Sequence, residues 1–248
     1  MMRVMKLTVA CAAILLAVSG QGQAGLIAFT TSQSEFNAGI ANQGWWSATV
    51  ANSNGNDNFY LGATNSGDLL RNFFTFSLSS LGALDNVTSA TLELQRYTSS
   101  GGNESTESIG FYDVTTTAAT LNNNSGTNAA IYDDLGNGTS YGTFVVNGGG
   151  SSATILSFIL NSAAITDINS AKGTFFSIGG DLLSQNGNDW LFADSSPHFA
   201  QKLVLNVEPV TVDGEVPEPG AVLAMLSLVL FGAGTVVVRR RRAKKFAA

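Results

Sequence analysis

The feature that most restricts the fold of this chain is a series of short segments in which apolar and polar side chains alternate. In the segment 87–97, Ala90, Leu92 and Leu94 share one face and polar side chains share the other. Successive side chains of a strand point to opposite faces, so the pattern predicts strands with one buried side. The other segments of strand composition are 57–62, 74–78, 109–114, 141–146, 154–160, 174–178, 190–193 and 203–207.

Clusters of Gly, Asn, Ser and Asp separate these segments, as turns do. Nine or ten short strands in this arrangement predict a mostly β fold, an antiparallel β-sandwich of jelly-roll type, rather than a parallel α/β sheet. One short helix is expected over 163–172, with Ser162 capping its start and Gly173 its end.

Charge divides the chain into an acidic middle and two basic ends. Between residues 25 and 215, four basic residues stand against 17 acidic ones, which gives this stretch a formal charge of −13. A surface this negative repels phosphate backbones and argues against nucleic-acid binding. The single cysteine, Cys11, lies outside this stretch, so we expect a domain without disulfides or cysteine-based metal sites.

The N-terminus has the order of charge, apolar core and small residues that is typical of a secretory signal peptide. Arg3 and Lys6 precede the apolar stretch 7–18, and small and polar residues follow it. An uncleaved anchor is less favoured, since this stretch is about 18 Å long as a helix, against about 30 Å of hydrocarbon. We therefore predict export by the general secretion machinery and cleavage by signal peptidase after Ala24.

The C-terminal region contains an uncharged apolar run, 221–238, whose length as a helix is about 27 Å. This predicts a transmembrane helix. A basic cluster follows it and is formed by Arg239, Arg240, Arg241, Arg242, Lys244 and Lys245. Basic residues stay on the cytoplasmic side, so the cluster acts as a topology signal that places the acidic domain outside.

Just before that run stand Val216, Pro217, Glu218 and Pro219. A Val-Pro-Glu-Pro motif, an apolar helix and an arginine cluster in this order resemble the PEP-CTERM sorting signal of Gram-negative exopolysaccharide producers. The resemblance implies that an exosortase recognises and processes the tail, 216–248. It also implies a membrane-anchored precursor that later reaches the envelope, the outer surface or the medium. A rigid proline linker before a plain anchor is the alternative.

Residues for catalysis are sparse. The only histidine, His198, has Asp194, Ser195 and Ser196 as sequence neighbours, but no G-x-S-x-G elbow is present, and we expect a solvated loop histidine. Paired carboxylates are available for glycoside cleavage only if the fold brings them together. The candidates are Glu104 with Glu107, Asp113, and Asp133 with Asp134. We expect surface roles for these acids and no enzyme activity.

Two segments rich in oxygen ligands are candidate Ca²⁺ sites, with Asn56 and Asp57 in one and Asp133 and Asp134 in the other. The remaining members are Asn54 and Asn58 in the first segment, and Gly136 and Asn137 in the second. Ordinary turn formation by Asn, Asp and Gly accounts for both segments equally well.

The tryptophans are the candidate glycan-binding residues. Trp45 and Trp46 are adjacent, so one should point into a sheet's core and the other outward, and Trp190 lies beside Asn188 and Asp189. An exposed indole next to polar side chains suits a sugar, whose C–H face packs on the ring while its hydroxyls need partners. The alternative is that all three are core residues.

The segments 72–81, 87–94 and 201–207 resemble strands of DNRLRE-type and carbohydrate-binding-module-like β-sandwiches. Together with the tail, this favours a non-catalytic envelope or matrix protein associated with exopolysaccharide or biofilm and able to bind glycans. A purely structural surface protein and a polysaccharide-cleaving enzyme with paired carboxylates are the alternatives.

Overall fold

The computed structural model of this chain describes residues 25–33, 35–53, 55–96, 105–149, 153–192 and 200–210. Of these residues 45% are in strands and 14% in helices, so the fold is mostly β, as predicted. The predicted signal peptide, 1–24, and sorting tail, 216–248, lie outside the described residues. None of the helices in the described ranges is long and apolar enough to cross a membrane.

The described part of the chain forms eleven strands and three helices. The strands are β1 (Gly25–Thr30), β2 (Gln43–Trp46), β3 (Leu61–Ala63), β4 (Leu69–Ser77), β5 (Asp85–Gln95), β6 (Thr106–Asp113), β7 (Ser140–Asn147), β8 (Ile155–Ile159), β9 (Phe175–Leu182), β10 (Trp190–Leu191) and β11 (Lys202–Pro209). The helices are α1 (Ala118–Asn122), α2 (Ala129–Asn137) and α3 (Ser162–Ser170).

The strands form two antiparallel sheets. One has the order β1-β11-β5-β8, and the other has the order β10-β3-β4-β9-β6-β7, with β2 paired to β4. Both sheets contribute to one core cluster, which includes Leu92 of β5, Leu205 of β11, Phe74 of β4 and Ile178 of β9. Each such side chain contributes about 1.5–3 kcal/mol through the apolar surface that it removes from water. The predicted alternation in β5 is confirmed, because Ala90, Leu92 and Leu94 are all buried.

The seven-stranded sheet is also covered on its second face. A separate cluster joins Trp46 and Phe73 of this sheet to Leu121 of α1 and to Ile131 and Leu135 of α2. Strand β4 is therefore buried on both faces, whereas the sequence pattern predicted one buried face. Both α1 and α2 were absent from the sequence-based prediction.

The two unpredicted helices begin at side-chain caps. Thr117 Oγ1 accepts a hydrogen bond from the N–H of Thr120 at the start of α1. Asn128 Oδ1 does the same for the N–H groups of Ala130 and Ile131 at the start of α2. These contacts satisfy donors that a helix leaves without intrahelical partners, and they let short segments stay helical against the sheet.

Helix α3 lies close to the predicted 163–172, but its cap is Asn161 rather than Ser162. Asn161 Oδ1 accepts from the N–H groups of Ala163 and Ala164 at 3.0 and 3.3 Å, so Ser162 becomes the first helical residue. Gly173 follows the helix with a positive φ of 77°, which a glycine adopts without strain.

Candidate functional site

Trp45 and Trp46 lie side by side in β2 and point to opposite faces of the seven-stranded sheet. Trp45 pairs with Asn72 of β4, and Trp46 pairs with Arg71, in the antiparallel register. Both indoles are nevertheless buried, with exposed fractions of 7% and 4%. The expected exposure of one of them is wrong because α1 and α2 cover the face that the pattern assigned to solvent.

Trp46 is a core residue. Its Nε1 donates a hydrogen bond of 3.1 Å to the carbonyl oxygen of Leu121 in α1, and its ring packs with Phe73. A buried indole normally finds such a partner. Trp46 therefore fastens a helix to the sheet and is not in a position to contact a glycan.

Trp45 and Trp190 line one common cavity of about 310 Å³, which we call the tryptophan cavity. Tyr60, which sequence reasoning did not select, is the third ring of its wall. Its ring centroid is 5.8 Å from that of Trp190, with an angle of 51° between the planes. The other lining residues are Val50, Asn56, Thr64, Asn65 and Leu70. Three aromatic rings from three separate segments of the chain thus line one cavity.

The backbone at Gly62 positions Trp190. In the pairing of β10 with β3, Trp190 lies opposite Gly62, whose φ is +106°. A Cβ atom at this position would be 2.4 Å from the carbonyl oxygen of Asp189, so only glycine permits this approach. That carbonyl oxygen also accepts from the N–H of Ala63 at 2.7 Å. This close contact holds β10, and with it Trp190, against the edge of β3.

The polar groups of the cavity differ from those expected beside Trp190. Asp189 is buried, and its Oδ2 accepts from the N–H of Asn186 at 3.0 Å within the preceding turn. Asn188 is exposed and donates to the carbonyl oxygen of Asn65. The polar side chains that line the cavity are instead Asn56, Thr64 and Asn65.

One polar atom of the cavity wall lacks a partner. The Nε1 of Trp45 is buried and has no hydrogen-bond partner among the described residues. A buried donor left in this state costs about 1–3 kcal/mol of folding free energy. Unpaired buried donors of this kind are uncommon in proteins.

The first candidate Ca²⁺ segment is tied into the loop before β3. Asn56 Oδ1 accepts from the N–H of Asn58 at 3.0 Å, and its Nδ2 donates to Asn52 Oδ1 at 3.0 Å. Asp57 is buried, and its Oδ2 accepts from the N–H of Ala41 at 3.2 Å. These side chains stabilise the loop that carries Asn56 and Tyr60 to the cavity. Asn54 lies outside the described residues.

The second candidate Ca²⁺ segment is not the irregular loop that the sequence suggested, because Asp133 and Asp134 lie within α2. The carboxylate of Asp134 accepts four hydrogen bonds from the N–H and hydroxyl groups of Thr115 and Thr116. Burial alone raises the pKa of Asp134, but these four bonds lower it below its usual value. Within the described ranges, no group of three or more His, Cys, Asp or Glu residues is placed to hold a metal.

The candidate catalytic residues fall partly outside the described part of the chain, namely Glu104, Asp194, Ser195, Ser196 and His198. Of the remaining acids, Glu107 is buried and accepts a hydrogen bond from Ser184 Oγ. Asp113 accepts one from the N–H of Thr139. Both carboxylates therefore take part in bonds that hold the ends of β6 to neighbouring segments.

A larger cleft of about 370 Å³ lies between β7 and β8. Its two rings, Phe144 and Phe158, also pack against Phe111 in the core, and none of its described lining residues has an ionisable side chain. Its polar lining residues are Thr106, Asn147 and Ser157, and its two rings are phenyl groups without polar atoms. In the tryptophan cavity, the partly exposed rings of Tyr60 and Trp190 each combine an apolar face with a hydrogen-bonding group, as an amphipathic ligand requires. We therefore assign the candidate binding site to the smaller tryptophan cavity.

The C-terminal region of the chain matches a known family of sorting signals. Residues 215–242 match the PEP-CTERM protein-sorting motif, and this range contains the predicted motif and all four arginines of the cluster. No curated protein matches the chain. The match confirms the prediction for the tail: the chain is an exported protein that an exosortase-type system sorts to the cell envelope.

Proposed function

We propose that this exported envelope protein is non-catalytic and binds extracellular polysaccharide through the tryptophan cavity. The observation that carries the proposal is the meeting of Trp45, Tyr60 and Trp190 around one open cavity beside amide and hydroxyl side chains. Aromatic rings pack on the C–H faces of sugars, and Asn and Thr offer partners to sugar hydroxyls. Sorting signals of this kind occur in bacteria that produce exopolysaccharide, so the proposed ligand would be present where the protein is delivered.

We further propose that the domain is a jelly-roll sandwich, similar to carbohydrate-binding modules. Without the three shortest strands, β2, β3 and β10, the two sheets have the orders β1-β11-β5-β8 and β4-β9-β6-β7. In a jelly roll, each sheet likewise combines strands from the beginning, middle and end of the chain, because two Greek keys are nested. Folds of this kind serve many functions, so the proposed activity depends on the cavity and not on the fold.

For delivery, we propose removal of residues 1–24 and transient anchoring by the apolar run 221–238. In support of the first cut, β1 begins at Gly25, which pairs with Val207 of β11. Cleavage after Ala24 would therefore leave an intact edge strand. We expect mass spectrometry of protein from the envelope fraction to find Gly25 as the first residue. Exported protein that still carries Met1 would contradict this proposal.

The ligand proposal predicts a selective loss of binding in Trp190→Ala. Trp190 is partly exposed and contributes one ring of the cavity wall. Stacking of one sugar ring contributes about 1–2 kcal/mol, so we expect affinity to fall roughly 5- to 30-fold. Affinity electrophoresis of the full chain in gels that contain the host's exopolysaccharide measures this as lost retardation.

Two further variants control this experiment. Phe175→Ala removes an aromatic ring that is 38% exposed and lies in β9, outside the cavity lining, and should retain wild-type retardation. Trp190→Leu keeps apolar volume for the core if the alanine variant fails to fold. Wild-type protein that is not retarded would support a purely structural role, and shortened polymer would support a polysaccharide-cleaving enzyme. Either result would overturn the proposal.

A further inference from the structure

We infer that the tryptophan cavity selects polysaccharide that carries free amino groups over polymer that is neutral or acidic. The inference rests on the proposed function and specifies the chemical class of its ligand. It follows from four features of the domain: the aromatic wall, the lack of basic side chains among the described lining residues, the nearby carboxylate of Asp68 and the charge of the whole domain.

The aromatic wall favours a cation. The face of an aromatic ring carries partial negative charge, so an ammonium group within about 6 Å of the ring centroid is attracted to it. Trp45, Tyr60 and Trp190 supply three such rings around one cavity. Aromatic cages bind quaternary ammonium ligands by this attraction, and a primary ammonium group is subject to the same force. A neutral sugar would use the same rings only for C–H packing.

Among the residues that the structure describes, those that line the cavity include no basic side chain that would repel an ammonium group. Arg71 follows Leu70, a lining residue, but it points to the opposite face of β4. Its guanidinium is already engaged, since it lies 2.9 Å from Asp181 and 4.4 Å from the centre of the Tyr132 ring. The guanidinium of Arg71 therefore places no positive charge in the cavity.

The carboxylate of Asp68 is hydrogen-bonded to the hydroxyl group of a residue that lines the cavity. Asp68 Oδ2 accepts a hydrogen bond of 3.5 Å from Thr64 Oγ1, and Thr64 lines the cavity. Asp68 Oδ1 accepts another, at 3.3 Å, from Thr49. Asp68 is only partly buried, so its negative charge acts on a ligand that enters the cavity.

The charge of the whole domain adds a long-range preference. Residues 25–215 carry a formal charge of −13, which raises the local concentration of polycations and lowers that of polyanions. Salt screens this attraction over about 8 Å at physiological ionic strength. The cavity volume of about 310 Å³ is at the lower end of the roughly 300–1,000 Å³ of ligand sites, which suits one sugar residue.

A matched pair of polymers tests this inference. We would titrate the full chain in detergent with a glucosamine oligomer and with its fully N-acetylated counterpart of equal length. Acetylation removes the positive charge and keeps the sugar ring. We expect the amino form to bind on the order of tenfold more tightly, because cation–π and Coulomb attraction are added to stacking. The difference should shrink in high salt.

Three variants locate the effect. Asp68→Asn should reduce the preference for the amino form while leaving affinity for the acetylated form unchanged. Glu208→Gln removes one negative charge from an exposed position of β11 outside the cavity lining and should leave the preference intact. Trp190→Ala should weaken binding of both forms.

The possible outcomes separate this inference from the proposal on which it depends. Equal affinity for the two oligomers would overturn the amino-group preference and leave polysaccharide binding in place. Failure to bind either oligomer or the host's own polymer would overturn both. Amino-form binding that survives Trp190→Ala and Asp68→Asn unchanged would indicate attraction by the acidic surface at large and would overturn the cavity as the selective site.

Discussion

Replacement of Pro217, Glu218 and Pro219 together by alanine should leave the protein as an unprocessed precursor in the membrane fraction. These residues lie within the range that matches the sorting motif. Two prolines favour an extended backbone and cannot donate hydrogen bonds to a helix, so they keep the segment distinct from the apolar run that follows. Alanine removes this restriction, favours helix and deletes the charge of Glu218. An immunoblot of fractionated cells should show a larger, membrane-bound species.

Asp213→Ala is the matched control because it changes a nearby acidic residue outside the matched range, 215–242. Its processing should be indistinguishable from that of the wild type. Normal processing of the triple variant would mean that the exosortase-type enzyme recognises another part of the tail. Loss of processing in both variants would point to the negative charge before the apolar run, since each variant removes one acidic residue.

The strands were predictable wherever one face of a strand meets the core. Leu92 and Leu94 in β5, and Leu203 and Leu205 in β11, alternate with less buried residues. Among the described residues, the side chains between them belong to neither core cluster. In β4 the adjacent residues Phe73 and Phe74 are both fully buried, each in a different cluster. Period-two alternation fails there because helices cover the second face.

Helices α1 and α2 were missed because their segments contain the residues that also form turns. Asn122 and Asn137 are the last residues of the two helices, and Gly136 lies inside α2. The intrinsic helix propensity of segments this short is weak, so the packing of Leu121 and Leu135 on the sheet determines that they are helical. The same misreading made the segment around Asp133 resemble a calcium loop.

The candidate site was predictable in part. Trp45 and Trp190 were selected for their chemistry, and the structure brings them to one cavity. Tyr60 was missed because the segment 57–62 was taken as a strand, whereas β3 begins only at Leu61. The run of Asn56, Asp57 and Asn58, residue types that favour turns, was the available signal in the sequence that the chain bends before Tyr60. No local pattern reveals which of two adjacent tryptophans a distant helix will cover.

Gly179→Ala should destabilise the domain, because α2 lies directly on this residue. A Cβ atom at Gly179 would be 2.5 Å from the carbonyl oxygen of Leu135 and 2.7 Å from its Cα atom. These are backbone atoms of a helix and cannot move alone. Gly179 also lies in β9 between β4 and β6, opposite Phe73 and Tyr112, so the strand cannot shift either.

Overpacking of this kind costs about 1–3 kcal/mol, and we expect the Tm of the full chain to fall by about 2–12 °C. Thermal unfolding followed by circular dichroism measures the change. Gly149→Ala is the matched control, since a Cβ atom there meets no atom of the described residues within 4 Å and its φ is not in the left-handed region. Its Tm should match that of the wild type.

If Gly179→Ala is as stable as the wild type, α2 does not pack on the sheet as described, and the burial of Trp46 beneath the helices is wrong. If only Gly179→Ala is destabilised, while its retardation by polysaccharide below its Tm is unchanged, the helical cover and the tryptophan cavity act independently.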